Sequence, residues 1–487
     1  MTNVSLGLGD DDETAPTEGD AAPAIPTVRT AVRWTTTGAV IFRLGTFLSG
    51  VLAARLIAPA DFGAFAVALT VYLITIAFSD MGVSQAIARE VNRTSAIAPT
   101  ANTILVGTTS LMTLALIAGA GGLAAALQTP SATDAIRVLS LTMVVGSLGT
   151  IPAMILTRDY RQKERFFVDL VNFAIATILL FWLALDGWGP LALAFSRLGG
   201  QAVASLLFNL INKERHGFGW NGTEARHLLR FSLPLAGASV LTMIVTNIDS
   251  LVIARALEPE QLGYYNLAFS IANWPVGILS TVFQQVTIPT FARAEGRPVE
   301  LSEHLRSALG LLSAVALPTG ALLCALSGHV VVDIYGENWA PAGPVLALLA
   351  LMTVPRLLHF LLGDLLIATG HTRQVFLAQL AWVLLLTPAM IILVQHLGIE
   401  GAAAAHCLVG GVIITPLFAH LTRRQCHVTG WFGTSMVRPL MASIATGLVA
   451  FGVTYYVKND WADLLLGGLI GALTYLLLAG RWARTHL

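Results

Sequence analysis

The sequence predicts an all-α membrane protein with about fourteen transmembrane helices, arranged as two pseudo-symmetric six-helix lobes followed by two C-terminal helices. Charged residues make up only 11% of the chain, whereas soluble proteins carry about 25%. The mean hydropathy is +0.73. Apolar runs of about 20 residues, the length that crosses roughly 30 Å of hydrocarbon, recur along nearly the whole chain. Together these observations exclude a large soluble helical protein.

The apolar runs define the predicted helices, which we number 1 to 14. Most runs end where charged residues, Gly or Pro collect, as expected at the membrane surface. The predicted helices cover residues 36–58, 62–88, 100–127, 135–157, 166–186, 190–211, 229–257, 262–291, 305–327, 342–369, 375–396, 399–421, 439–457 and 464–479.

The distribution of charge orients these helices. If the N-terminus lies in the cytosol, the inner segments between helices hold many Arg and Lys residues, whereas the outer loops hold only Lys458. This asymmetry follows the positive-inside rule. The outer loops are acidic instead, with Asp61, Asp134, Asp186, Glu258, Glu260, Asp333, Glu337 and Glu400. We therefore expect a multi-pass membrane protein with both termini in the cytosol.

One short motif occurs twice between apolar runs. Residues 54–65 read ARLIAPADFGAF and residues 254–265 read ARALEPEQLGYY, so that Arg, Pro and Gly recur at matching places. Each copy ends an outward-running helix and begins an inward-running one, and six predicted helices separate the copies. The motif therefore indicates a parallel repeat related by an axis along the membrane normal, a plan common among transporters.

The repeat sets the predicted domain boundaries. The tail is rich in Asp, Ala, Thr and Pro, which cannot form a packed core, so we expect it to be disordered and cytosolic. The predicted domains are the tail (1–30), an N-lobe of helices 1–6 (31–212), a cytosolic linker (213–228), a C-lobe of helices 7–12 (229–424) and an appendix of helices 13 and 14 (425–487).

Several classes of function have no support in the sequence. No loop is long enough for an extramembrane catalytic domain, and no GxxxxGK[ST] motif occurs, so we expect neither an enzyme nor an ATPase. Cys324, Cys407 and Cys426 lack the spacing of a metal site or disulfide framework. We expect no cofactor and no metal. The net charge is zero, so bulk charge gives no indication of a nucleic-acid or acidic partner, and we expect no nucleic-acid partner.

Arginines in or near the apolar runs are candidate residues for binding an anionic substrate. An Arg at the centre of a membrane helix costs roughly 2.5–3.5 kcal/mol on insertion scales. Such residues either snorkel to headgroups or tie helices together, or they line a cavity. Duplication in both halves favours a cavity for Arg55 and Arg255. The candidate cavity residues are the arginines Arg43, Arg55, Arg197, Arg255 and Arg356, together with one carboxylate, Asp249.

Three carboxylates are candidates for a coupling ion. Asp249 lies about two turns below the outer end of predicted helix 7, too deep to snorkel easily, and could pair with an arginine or carry a cation. Asp80 lies near the inner end of predicted helix 2, where a salt bridge to a cytosolic Arg would also explain it. Asp364 shares predicted helix 10 with Arg356 and His359. A helical stripe is expected to place these three together, unless Asp364 only approaches the cytosolic interface.

Several stretches resemble one family. They are RLGTFLSGVLAARLIAPADFGAF, SDMGVSQAIARE, LGYYNLAFSIANWPVGILSTVFQQVTIPTFAR, YGENWAPAGPVLALLAL and DLLIATGHTRQVF. The chain resembles a Wzx-type polysaccharide transporter of the multidrug/oligosaccharidyl-lipid/polysaccharide exporter superfamily. The resemblance implies a two-lobed bundle with a central cationic cavity. It also implies export of polyprenyl-pyrophosphate-linked oligosaccharide by alternating access, with the arginines of helices 1 and 7 in the cavity.

The resemblance leaves a second candidate and several expected partners. The alternative is a cation-coupled exporter of a drug or peptidoglycan precursor, which would need a dedicated acidic cation site. A membrane glycan enzyme would need a large outer loop with paired carboxylates, and no such loop is present. The expected partners are lipid-linked oligosaccharide, membrane lipids, a proton or sodium gradient and the polysaccharide polymerase machinery.

Overall fold

The structure is a computed structural model that describes residues 28–79, 94–159, 161–212, 217–226, 228–230, 240, 243–244, 246–428, 434–456 and 460–484. These residues form helices, turns and short connections, with no strand among them. Most of the predicted tail, residues 1–27, lies outside the described residues. So does the segment with Asp80, and most of predicted helix 7 before residue 246.

Fifteen α-helices of nine residues or more are described and are numbered here in chain order. Short 3-10 or π-helical turns join some of them. The helices are α1 Val28–Leu56, α2 Pro59–Ser79, α3 Thr94–Ala126, α4 Thr133–Arg158, α5 Gln162–Leu185, α6 Pro190–Ile211, α7 Ile248–Ala256, α8 Pro259–Arg293, α9 Pro298–Ala325, α10 Ala342–Leu351, α11 Thr353–Ala368, α12 Thr372–Ala405, α13 Thr415–Gln425, α14 Thr434–Tyr456 and α15 Asp460–Arg484.

Within the described part, ten spans are long and apolar enough to cross a membrane by length and composition. The all-helical membrane class is therefore confirmed, but the predicted count of fourteen is not. One of the ten spans, Thr372–Gln425, contains both predicted helices 11 and 12. The helices α1 and α8 are not among the ten, although α1 has 29 residues and α8 has 35.

Two backbone features divide the predicted helices of the second half. Within Thr372–Ala405, Gly398 has φ 59° and ψ −140°, a conformation that suits glycine, and it separates predicted helices 11 and 12. Predicted helix 10 is instead broken into α10 and α11 at Met352. Pro355 follows three residues later and has no N–H to donate to the carbonyl of Leu351, which accounts for a break at this point.

The helices pack in two groups with one main contact between them. The helices α1 to α6 pack mostly on one another, and α7 to α13 do the same. Between the groups, α2 packs along α8 and also meets α7. The C-terminal pair, α14 and α15, packs on α9. The helices that follow the two copies of the doubled motif therefore meet between the groups.

The outward faces of the helices are apolar, as a lipid environment requires. Leu185 on α5 is 74% exposed and Leu477 on α15 is 84% exposed. A soluble monomer rarely exposes contiguous apolar patches of more than a few hundred Å², whereas hydrocarbon is the natural solvent for such faces. With the long apolar spans, this surface defines a multi-pass membrane protein.

Candidate functional site

The two copies of the doubled motif pack directly against each other. We call them the corners, residues 56–63 and 256–263, and the end of the bundle that carries them the corner end. A Cβ atom placed on Gly63 would lie 1.7 Å from the carbonyl oxygen of Pro259. One placed on Gly263 would lie 2.1 Å from the carbonyl oxygen of Pro59. The contact is reciprocal, and only glycine allows so close an approach of two backbones.

The local sequence explains how each corner forms. Each Pro is the first residue of its helix, where the absence of an N–H costs nothing and the fixed φ favours the helix. Each Gly lies four residues further on, one turn into α2 or α8. A Pro and a Gly at this spacing therefore bring the first turns of two helices together with no side chains between them.

The two motif arginines reach across between the helix groups. Arg55 donates from Nε to the carbonyl of Ile334 at 2.8 Å and from Nη2 to the carbonyl of Asp333 at 2.6 Å. Arg255 donates from Nη1 to the carbonyl of Ala126, at the end of α3, at 2.8 Å. Residues 333 and 334 lie in the π-helical turn beyond α9. Each guanidinium thus meets carbonyls just beyond, or at, the C-terminal end of a helix, where cations are favoured.

A buried tryptophan completes the corner end. Trp339, from the YGENW stretch, is 1% exposed and donates from Nε1 to the carbonyl of Ala54 on α1 at 2.8 Å. Its ring packs edge-on against Phe62 at 5.2 Å and against Tyr264 at 6.0 Å between ring centroids. One side chain therefore contacts α1, α2 and α8 at once, and it closes the space beside the two glycines.

Other predicted arginines lie away from the corners. Arg43, on α1, lies against α8: a Cβ placed on Gly277 would be 2.8 Å from its Nη1. Nearby, Phe47 on α1 packs on Trp274 of α8 at 4.4 Å between ring centroids. Arg43 is thus at the contact between the helix groups. Arg197 lies on α6 with an exposed side chain.

Asp249 belongs to a buried polar network of the second half. It is 5% exposed. Its Oδ2 accepts a hydrogen bond from the hydroxyl of Tyr265 at 2.8 Å and lies 2.9 Å from Nε2 of His406. His406 thereby joins α7 to the segment after α12. A carboxylate at this depth is tolerable because both partners bond to it.

Arg356 lies in the same region on α11. It is 8% exposed, donates to the amide oxygen of Asn273 on α8, and lies 4.8 Å above the ring of Phe269. The ring of Phe269 in turn stacks on Tyr265, the partner of Asp249. A cation over an aromatic face is stabilised when it is desolvated. The structure therefore brings a buried cation close to the buried carboxylate of α7.

The remaining predicted carboxylates do not join this network. Asp364 accepts a hydrogen bond from Thr287 at 3.3 Å, so it faces α8 as Arg356 does. His359, expected on the same stripe, instead contacts Thr415 at 2.9 Å and stacks on Phe418. The three residues therefore do not form one stripe, because a three-residue and an eight-residue step from Arg356 turn opposite ways around a 3.6-residue helix and place His359 and Asp364 about 140° apart. Asp80 lies outside the described residues.

The first half contains a neutral polar cavity that sequence reasoning missed. It has a volume of about 150 Å³ and lies between α2, α3, α4 and α6. Hydroxyl and amide groups line it, among them those of Thr109, Thr142, Thr150 and Gln201. The signal was present as repeated Thr and Ser in the apolar runs of α3 and α4.

Comparison with known proteins shows which family of membrane proteins the chain belongs to. The helices and the reciprocal corners define a multi-pass membrane protein with an internal repeat. A family model described as polysaccharide biosynthesis protein matches residues 51–344, and the chain belongs to that family. The resemblance drawn from the motifs is thereby confirmed.

Individual relatives cover nearly the whole chain. The chain is 26% identical over 430 residues to the lipopolysaccharide biosynthesis protein WzxC of Escherichia coli, covering 85% of this chain and 86% of WzxC. It is 24% identical over 473 residues to the succinoglycan biosynthesis transport protein ExoT of Rhizobium meliloti, covering 93% and 92%. Its fold matches the lipid II flippase MurJ in an inward closed conformation with a TM-score of 0.72 at 17% identity, covering 92% and 99%.

Proposed function

We propose that this protein flips polyprenyl-pyrophosphate-linked oligosaccharide across the bacterial inner membrane by alternating access, for the synthesis of surface polysaccharide. The reciprocal packing of the two corners carries the proposal, because it is a closure at one end of a two-group bundle. The names of the relatives support the class of substrate, since they describe proteins of polysaccharide biosynthesis and transport. The similarity of fold to a lipid II flippase supports the mechanism.

The chemistry of the substrate explains why such a protein is needed. A pyrophosphate with attached sugars loses its water on entering hydrocarbon, and the loss is prohibitive without other partners. Arginine binds phosphate through paired, charged hydrogen bonds. Arg43 is the candidate best placed to do so, because it lies at the contact of α1 with α8. The prenyl chain stays in lipid while the headgroup passes between the helix groups.

The orientation follows from the distribution of charge. The positive-inside rule puts both termini in the cytosol, and the corner end then faces the outer side of the membrane. In this orientation the structure has its outer end closed. We call the contacts of the two corners, Arg55, Arg255 and Trp339 the outer gate. Loading occurs from the cytosolic side while this gate is shut, and release requires that the gate open.

The outer gate is built from contacts that can be exchanged. A hydrogen bond inside a protein contributes about 0.5–1.5 kcal/mol net, so a few such bonds hold the gate without locking it. The glycine contact adds shape complementarity and no ionic bond. A substrate that binds the protein with an open gate a few kcal/mol more tightly than the protein with a closed gate would shift the equilibrium towards the open gate.

Asp249 is our candidate for coupling transport to a proton or sodium gradient. It is a buried carboxylate on α7, and α7 leads directly into the second corner. A proton or cation arriving at Asp249 would compete with His406 and Tyr265 for its oxygen atoms, and would thereby change the packing of α7 on α12. The polymerase machinery is the expected recipient of the flipped substrate.

Deletion of the gene tests the proposed function directly. Without the protein, lipid-linked oligosaccharide should accumulate in the cytosolic leaflet, out of reach of a membrane-impermeant glycan label, and surface polysaccharide should be lost. A matched control strain that lacks the first glycosyltransferase of the pathway should accumulate no such lipid. Normal labelling of the lipid at the outer surface of the deletion strain would refute the proposal.

A further inference from the structure

Three potential metal ligands meet at the corner end, beside the outer gate. His329 lies in the short helix Ser327–His329, Asp333 in the π-helical turn, and Asp463 at the start of α15. Nδ1 of His329 lies 3.1 Å from Oδ2 of Asp463 and 3.8 Å from Oδ2 of Asp333. One ligand atom from each residue lies within 4.8 Å of the others.

Burial makes this cluster different from a surface ion pair. The side chains of Asp333 and Asp463 are each 6% exposed, whereas that of His329 is 36% exposed. Two buried carboxylates so close together repel each other when both are ionised, and a neighbouring cation relieves the repulsion. A protonated His329 would supply one positive charge for two negative ones. A divalent cation would balance both, and the exposed edge of His329 leaves it a way in from water.

We propose that His329, Asp333 and Asp463 bind one divalent transition-metal cation, of which Zn²⁺ is the natural test ion. Imidazole nitrogen with carboxylate oxygen is a donor set that Zn²⁺ accepts, with metal–ligand distances of about 2.0–2.2 Å. In a tetrahedral site such ligands are roughly 3.3 Å apart. The two distances from His329 bracket that value. Water would complete the coordination.

The position of this site gives it a second consequence. Asp333 offers its side chain to the cluster and its backbone carbonyl to Arg55. Asp463 belongs to α15, which lies outside the repeated helices. The ion would therefore join the C-terminal helix pair to the turn that Arg55 holds, and would brace the closed corner end. It would also give α15 a defined task in a chain whose repeat ends at α13.

Metal binding to the purified, tag-free, full-length protein tests the site. After treatment with chelator, titration calorimetry with Zn²⁺ should show one equivalent bound. Asp463→Asn and His329→Gln should each weaken binding at least about 10-fold, since loss of even a supporting partner of a metal ligand costs 10- to 100-fold. The matched control is Glu337→Gln, which removes an exposed carboxylate four residues from Asp333 and should leave binding unchanged.

Two further readouts keep the proposal falsifiable. If the variants fail to fold, Co²⁺ added to the unmodified protein should give the visible absorption of a site with nitrogen and oxygen ligands. No binding of Zn²⁺ or Co²⁺ by the unmodified protein, or equal binding by Asp463→Asn, would overturn the site. In proteoliposomes, Zn²⁺ should slow flipping in the unmodified protein and not in Asp463→Asn. Binding without slowing would overturn the bracing role and leave the proposed function intact.

Discussion

The corner end is built symmetrically from both halves of the chain, whereas the buried network of α7 is built from the second half alone. At the corner end, both halves of the chain contribute equivalent groups: Pro and Gly twice, and an Arg twice. The network is one-sided, because the position that matches Asp249 in the first half is Ser49, 3.4 Å from Thr177. The repeat is thus kept where two surfaces must fit each other. It is lost in the interior: among the described residues of α1 to α6 no carboxylate is buried, whereas α7 contains the buried Asp249.

We propose that this difference separates two tasks within one fold. A symmetric contact of backbones can form and part as a unit, which suits a gate. A single carboxylate with a histidine and a tyrosine as partners offers oxygen atoms for which a cation could compete, which suits the proposed coupling site. The neutral cavity of the first half belongs to the half that lacks the carboxylate. Each prediction below changes either the corner end or the buried network of α7 and leaves the other unchanged.

The largest effect is expected for Gly63→Ala. The new Cβ would lie 1.7 Å from the carbonyl oxygen of Pro259, far inside contact distance, so the corners could not close. Flipping in proteoliposomes should be abolished while the protein still folds and inserts. Gly107→Ala is the matched control, because a Cβ there meets nothing within 4 Å. Wild-type flipping by Gly63→Ala would show that closure of the corners is not required.

Asp249→Asn should remove the response to an ion gradient. The variant keeps the shape of the side chain but loses the carboxylate that His406 and Tyr265 contact. Flipping driven by a gradient should fall to the rate seen without one, while binding of substrate persists. Ser49→Ala, at the matching place in the first half, should change neither. An unaltered gradient response in Asp249→Asn would remove Asp249 from the coupling mechanism.

Trp339→Phe should weaken the gate without blocking it. The variant keeps an aromatic ring against Phe62 and Tyr264 but leaves the carbonyl of Ala54 without its donor. A buried group that loses its partner costs about 1–3 kcal/mol. The open fraction of the corner end should therefore rise by roughly 5-fold or more. Labelling of a cysteine introduced at Ala64, which lies beside Gly63 and is 0% exposed in the closed corner end, compared with the same cysteine on the unmodified gate, would measure it.

The arginine pair should show the smallest effects, and unequal ones. Arg55 makes two hydrogen bonds across the gate and Arg255 makes one. Lysine lacks the planar fork of donors that holds two carbonyls at once. Arg55→Lys should therefore increase opening more than Arg255→Lys, in the same labelling measurement. Equal effects of the two variants would mean that gate closure depends on the positive charge of the side chain and not on the planar set of guanidinium donors.

The sequence was most informative where local chemistry decides structure. The doubled Arg, Pro and Gly predicted two helix junctions that are related by a repeat, and Gly398 marks the turn between predicted helices 11 and 12 as expected. Apolar runs located most helices within several residues. These features depend on residues close together in the chain, so a single sequence reveals them.

Contacts between distant segments were not predictable in the same way. Nothing near Trp339 indicates that its indole bonds to a residue 285 positions away. The arginines were expected to face a substrate cavity, whereas the structure shows them bonded to backbone carbonyls. A carbonyl has no signature in a sequence, because every residue carries one. The meeting of Asp463 with His329 likewise depends on where α15 packs.

The central claim, that the corners form an outer gate, is tested most directly by a distance across the corner end. Spin labels at Ser131 and Glu337, both exposed, would sit in the segments next to the carbonyls that Arg255 and Arg55 hold, in a background without the native cysteines. We predict one narrow distance distribution in the resting protein, and a second, longer population when lipid-linked oligosaccharide is added. A single unchanged distribution throughout active flipping would contradict the account.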